Sequence, residues 1–98
     1  MKEKYLPIGT IVILKGATKR LMIIGFCGVT KEQEGKVFDY TACLYPEGLI
    51  SSEQICLFDH EQIDQVFFQG FVDEEEISFK KKLKELDSQI NNAESNVN

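Results

Sequence analysis

Catalysis needs a positioned acid, base or nucleophile, and this sequence offers few. His60 is the only histidine among 98 residues. Between Asp59 and Glu61 it could serve as a base. The run Asp59-His-Glu-Gln-Ile63 reads more simply as one helical turn, with Asp59 as N-cap and Gln62 as its reciprocal partner. That reading leaves the imidazole in an exposed turn. No serine sits in a nucleophile-elbow context. Cys27, Cys43 and Cys56 are odd in number, widely spaced and free of any CxxC pair. A structural zinc site needs four Cys or His ligands close in space, and this spacing does not ask for one. Each cysteine lies in an apolar, strand-like run, where a thiol stays protonated and inert. The expectation is three reduced, buried thiols in a cytosolic protein with no disulfide, no metal, no cofactor and no enzymatic activity.

The remaining polar motifs resolve into structure. Seven glycines are scattered singly, and none fits the dinucleotide or P-loop spacing, so they read as turns and sheet bends. The acidic run Asp73 to Glu76 cannot hold one ion from a helix, because successive helical residues diverge by about 100°. It reads as a helix start. Lys15, Lys19 and Arg20 gather at a hairpin tip, where some small barrels bind nucleic acid. No aromatic platform adjoins them in sequence, so a solvated turn guarding a sheet edge is the simpler reading.

Two features point to binding. In Val66-Phe67-Phe68-Gln69-Gly70-Phe71, adjacent aromatics of a strand face opposite sides, so Phe67 and Phe68 cannot share one core. Period two puts Phe71 on the side of Phe67. Further on, Phe79, Leu83, Leu86 and Ile90 recur at helical spacing as one apolar stripe. Phe67, Phe71, Phe79, Leu83 and Leu86 are therefore the candidate partner-binding residues. Stripe and aromatics could also cover each other.

Composition narrows the class of partner. Sixteen acidic residues against eleven basic ones leave a net charge of −5, which argues against nucleic acid, whose binders present basic surface. No apolar run approaches the ~20 residues of a membrane span, and the first residues do not read as a secretory leader. Reduced thiols agree with a cytoplasmic location. A protein is the partner expected, with a second copy of the chain among the candidates. A folded part this small also gains from one, since a single core of its size is marginally stabilising.

The elements that carry these residues read off in order. Ile11 to Leu14 and about Arg20 to Phe26 are short, β-branched, Gly-bounded runs that predict two strands joined by Gly16-Ala-Thr-Lys19. Gly28 to Lys36 is a polar loop. From Lys36 to Leu44 the pattern alternates, with Phe38, Tyr40, Ala42 and Leu44 on one side. Tyr45-Pro-Glu-Gly48 is a turn. Ile55 to Phe58 and Gln65 to Phe71 are the last strands. Asp73 caps a helix over about 73–90, with Glu76 as the reciprocal capping-box residue and Val72 and Ile77 as a hydrophobic staple. Residues 91–98 read as a polar, disordered tail, so residues 1–90 form one domain. The fold class is mainly β (α+β): a small five-stranded antiparallel SH3-like barrel, or a strongly curved sheet, with a C-terminal amphipathic helix. An open sheet with the helix across one face is the alternative.

The sequence also resembles a family of small Gram-positive proteins classed as a domain of unknown function, number 4176 in that series. The resemblance rests on Leu6-Pro-Ile-Gly-Thr-Ile-Val-Ile-Leu-Lys-Gly16, Lys19-Arg-Leu-Met-Ile-Ile-Gly25, Asp39-Tyr40 with Leu44-Tyr-Pro-Glu-Gly-Leu49, Phe58-Asp-His-Glu-Gln-Ile63, and Gln69-Gly-Phe71 before the acidic helix start. Ala17 stands where many relatives carry glycine. Such proteins resemble companions of type VII secretion loci that encode toxins with an LXG targeting domain. The resemblance implies a non-enzymatic accessory role: an adaptor or chaperone for the toxin effector, or an immunity protein against it. It carries over no catalytic residues.

Overall fold

A computed structural model of the chain describes residues 5–29 and 35–96, with side chains described as far as Leu86. Ile90, the last residue of the predicted stripe, therefore has its side chain outside the described residues. Among the described residues are five strands: β1 (Ile11–Leu14), β2 (Arg20–Gly28), β3 (Phe38–Leu44), β4 (Cys56–Phe58) and β5 (Ile63–Phe68). One helix follows, α1 (Glu74–Asn96). It runs past the boundary near residue 90 and through most of the stretch read as a tail.

The sheet is fully antiparallel in the order β4-β3-β2-β1-β5. Strands β1 to β4 form a meander, and β5 returns to the free edge of β1. That is the strand order of an SH3-like barrel, here left open between β4 and β5. Bulges lie in β2–β3 between Ile23 and Gly25, and twice in β1–β5. Bulges add twist and bend the strands that carry them.

Alternation fixes the core. Val12 of β1, Leu21 and Ile23 of β2, Tyr40 and Ala42 of β3, Phe58 of β4 and Ile63 of β5 form one buried cluster, and Leu44, Phe26 and Val66 pack against it. Tyr40 and Ala42 share the inner face with Leu44, as the period-two reading of β3 requires. Cys43, one residue out of phase, is buried outside that cluster.

A phenol buried this deeply needs hydrogen-bond partners. Tyr40 Oη accepts from the amides of Tyr5 and Leu6 at 2.9 and 3.0 Å. Residues 5–7, a plain lead-in by sequence, are in fact a buried strap across the sheet, with Tyr5 1% exposed. Thr10 locks the strap to the far end of the sheet. Its fully buried hydroxyl donates to Pro7 O at 2.7 Å and accepts from Gly70 N at 3.0 Å. The strap passes so close that a Cβ on Gly70 would lie 2.1 Å from Ile8 O. That approach ends β5 at Phe68, before Phe71.

Candidate functional site

The helix start forms as its cap predicts. Asp73 Oδ1 accepts from Glu76 N at 2.9 Å. The reciprocal half is missing, because the Glu76 carboxylate turns to Lys80 instead, at 3.4 Å. Val72 and Ile77, the expected staple, stay 39% and 47% exposed.

From this start α1 lays its stripe beside the outer end of β2. Phe26 is the hinge of the contact. Its ring centroid lies 5.9 Å from Tyr5, 6.1 Å from Tyr40 and 6.0 Å from Phe79. Tyr40 in turn lies 5.2 Å from the fully buried Phe58. An aromatic chain thus runs from the core to the helix. Leu83 is buried, but Phe79 stays 50% exposed and Leu86 43%.

The stripe is therefore only half covered. Two grooves remain along it, both including Ile8, Phe26, Phe79 and Leu83. One, of about 410 Å³, adds Phe71 and is rimmed by Asp73, Glu75, Glu76 and Lys80, the last two paired with each other. The other, of about 420 Å³, adds Cys27 and Leu86 and is rimmed by Lys82. Phe71 is 78% exposed and Ile8 54%. Apolar side chains gathered this closely and left open to water make this the candidate interaction surface.

Four of the five predicted binding residues meet here: Phe71, Phe79, Leu83 and Leu86. Phe67 does not line either groove. The extrapolated alternation that put it beside Phe71 fails because the strand ends at Phe68. Phe67 instead lies under the guanidinium of Arg20, 4.9 Å from ring centroid to carbon. Ile8 and Phe26 were missed as groove residues. Ile8 follows a proline outside any strand, and Phe26 reads as an ordinary strand residue.

The basic tip divides. Lys19 is held by Glu47, its ammonium 2.6 and 2.8 Å from the two carboxylate oxygens. That hydrogen bond holds the Glu47 carboxyl below its ordinary value. Arg20 lies against Tyr45 as well as Phe67, so the fold supplies the aromatic neighbours that the local sequence lacks. Lys15 is exposed at the turn.

His60 is not an exposed turn residue. Its short 3-10 turn (His60–Gln62) forms as expected, with Gln62 Oε1 accepting from Asp59 N at 2.8 Å. The turn is also stitched to β3: His60 N donates to Asp39 Oδ2 at 2.9 Å, and Asp39 N to Asp59 Oδ1 at 3.1 Å. These bonds bring His60 Nδ1 to 2.7 Å from Tyr40 Oη. With two amides already donating to that oxygen, the phenol proton points to Nδ1, and the imidazole acts as a structural acceptor. His60 lines neither groove, so it does not meet Cys27 there. None of the three cysteines is in a disulfide; Cys43 is buried, whereas Cys27 and Cys56, expected to be buried as well, are only partly so, and burial pushes the Cys56 thiol above its ordinary value. Among the described residues no group of three or more His, Cys, Asp or Glu is placed to hold a metal. Among them, too, no helix is long and apolar enough to cross a membrane.

The family model described as "Domain of unknown function (DUF4176)" matches residues 5–79. The chain belongs to the DUF4176 family. The match begins at the Tyr5 strap and ends at Phe79, so it takes in the whole sheet and the first turns of α1. No curated protein and no solved structure matches this DUF4176 chain.

Proposed function

We propose that this DUF4176 protein is a non-enzymatic, cytoplasmic accessory factor that binds a protein partner through the apolar face between α1 and β2. The observation that carries the proposal is the open surface made by Ile8, Phe71, Phe79 and Leu86 around Phe26. A domain this small gains stability by covering such a surface, and aromatic anchors in a groove are what protein interfaces use. With Glu76 paired to Lys80, Asp73 and Glu75 leave that rim acidic on a chain of net charge −5, which favours an apolar segment flanked by Lys or Arg.

The resemblance to companions of type VII secretion loci supplies the partner: the LXG-type toxin effector, held by an adaptor or chaperone before export. Co-expression with the effector encoded beside it tests this reading. A stable complex that copurifies supports it, and no association at micromolar concentration contradicts it. An immunity role is the competing reading of the same surface. There the chain would protect cells expressing the toxin domain alone, whereas an export factor would not.

A further inference from the structure

We propose that Arg20, at the opposite end of β2 from the groove, is the centre of an oxyanion-binding site that takes a carboxylate or phosphate group. The site stands apart from the proposed partner groove and shares no residue with it.

The fold builds the site from three segments. Arg20 opens β2 and pairs with Ile13 of β1, which pairs in turn with Gln65 of β5. The bulge between Ile11 and Val12 matches Val12 to Val66 and Ile11 to Phe68, leaving Phe67 between them without a register partner. The Phe67 ring lies under the guanidinium at 4.9 Å, and Tyr45, from the turn after β3, flanks it at 6.0 Å. An aromatic face holds a guanidinium plane by cation–π attraction. It leaves the in-plane N–H donors unused.

Those donors are the unusual feature. The chain carries more carboxylates than cations, yet no carboxylate among the described residues pairs with Arg20. Glu47, in the same turn as Tyr45, is taken by Lys19. That pair neutralises itself and leaves one uncompensated positive charge. Beside it opens a hollow of about 290 Å³ lined by Thr18, Lys19, Arg20, Tyr45 and Pro46. The lining offers the Thr18 hydroxyl, the Arg20 guanidinium and the Tyr45 phenol beside the Lys19 ammonium that Glu47 already holds, and no acidic side chain is part of it. A guanidinium set against the Phe67 ring, without a carboxylate partner among the described residues and lining a hollow with other donors, suits bidentate capture of an oxyanion.

The test is a titration of the full chain followed by amide chemical shifts. Inorganic phosphate, sodium acetate and sodium chloride are added in separate arms at matched ionic strength. Saturable shifts confined to Thr18–Arg20 and Tyr45–Glu47 are expected with phosphate or acetate, and not with chloride. Saturation by phosphate alone assigns a phosphate-bearing ligand; saturation by acetate alone assigns a carboxylate. R20Q should weaken binding by about tenfold or more, because charge-assisted bonds are lost. R20K should also weaken it, since an ammonium keeps the charge but not the fork. K15Q, at the exposed turn outside the hollow, should bind as the parent does. Each variant is checked for an unchanged amide spectrum away from the site. Linear shifts shared with chloride, undiminished binding by R20Q or R20K, or equal loss in K15Q would overturn the proposal.

Discussion

The rings of Phe26 and Phe79 lie 6.0 Å apart, and through this contact the aromatic core of the sheet continues into α1. Phe26 is partly buried from below by Tyr5 and Tyr40, while Phe79 is half open to water above it. The helix is therefore anchored by one buried leucine and one shared ring, with the remaining stripe presented outward. Exposed side chains around that contact should matter for association and not for folding. F71S is expected to shift stability by no more than about 0.5 kcal/mol, as surface changes do. Phe26→Ala should cost about 3 kcal/mol or more, because it opens a cavity beneath the helix. Urea unfolding of the two variants measures both.

Tyr40→Phe tests the strap. The substitution keeps the ring and removes the acceptor used by the Tyr5 and Leu6 amides. It also takes the donor from His60 Nδ1. Losing an acceptor for buried donors costs roughly 1–3 kcal/mol, so stability should fall by that amount. Hydrogen exchange of the Tyr5 and Leu6 amides should rise more than exchange in β2 and β3. Equal acceleration everywhere would contradict a local role for the phenol.

Gly70→Ala tests the close approach of strap and sheet end. Its new Cβ would meet the Ile8 carbonyl oxygen at 2.1 Å, and that oxygen belongs to the backbone. The loss should be about 2–4 kcal/mol, at the high end for a single substitution. Gly16→Ala is the comparison: nothing lies within 4 Å of its Cβ, and only its φ of +77° resists. There the cost should stay near 1 kcal/mol, the preference for glycine in left-handed backbone. Thermal unfolding that ranks the two variants in reverse would contradict the packing argument.

Cys56 gives a pH-dependent signal. Burial disfavours its thiolate, so the folded pKa lies above the ordinary 9.0. The thiolate fraction at pH 8 is thus smaller in the folded chain than in the unfolded one. Alkylation by iodoacetamide at pH 8 should be slower at Cys56 in the native protein than in urea, and should accelerate as the pH rises past 9.0. Peptide mass mapping reads the site. Equal rates in both states would show that the thiol is not shielded.

Local signals in the sequence carried most of the sheet. The β-branched runs around Gly16, the alternation of β3 and the Asp59–Gln62 turn are all present where patterning placed them, because each is decided by neighbours a few residues away. The failures share a long-range cause. Nothing near Tyr5 announces that its amide will find Tyr40, thirty-five residues on. Nothing near Phe68 says that strand period ends there; Gly70 ends it by meeting Ile8 across the fold. The same event separates Phe67 from Phe71 and turns one expected aromatic patch into two surfaces. His60 likewise reads as exposed until the β3 contacts of Asp39 pull its ring onto a buried phenol. The groove was half legible: α1 showed its stripe, but its floor, Ile8 and Phe26, comes from segments that look like ordinary lead-in and strand.

The most direct test of the groove is a paired copurification with the proposed partner, an LXG-type effector, using the parent chain and the double variant F71D/L86D. Both changed side chains are exposed and line the grooves, so the variant should retain the parent's circular dichroism spectrum and unfolding midpoint. The account predicts that the parent forms a complex that survives size-exclusion chromatography and that the double variant does not. A double variant that binds as the parent does, or a parent that forms no complex, would contradict it.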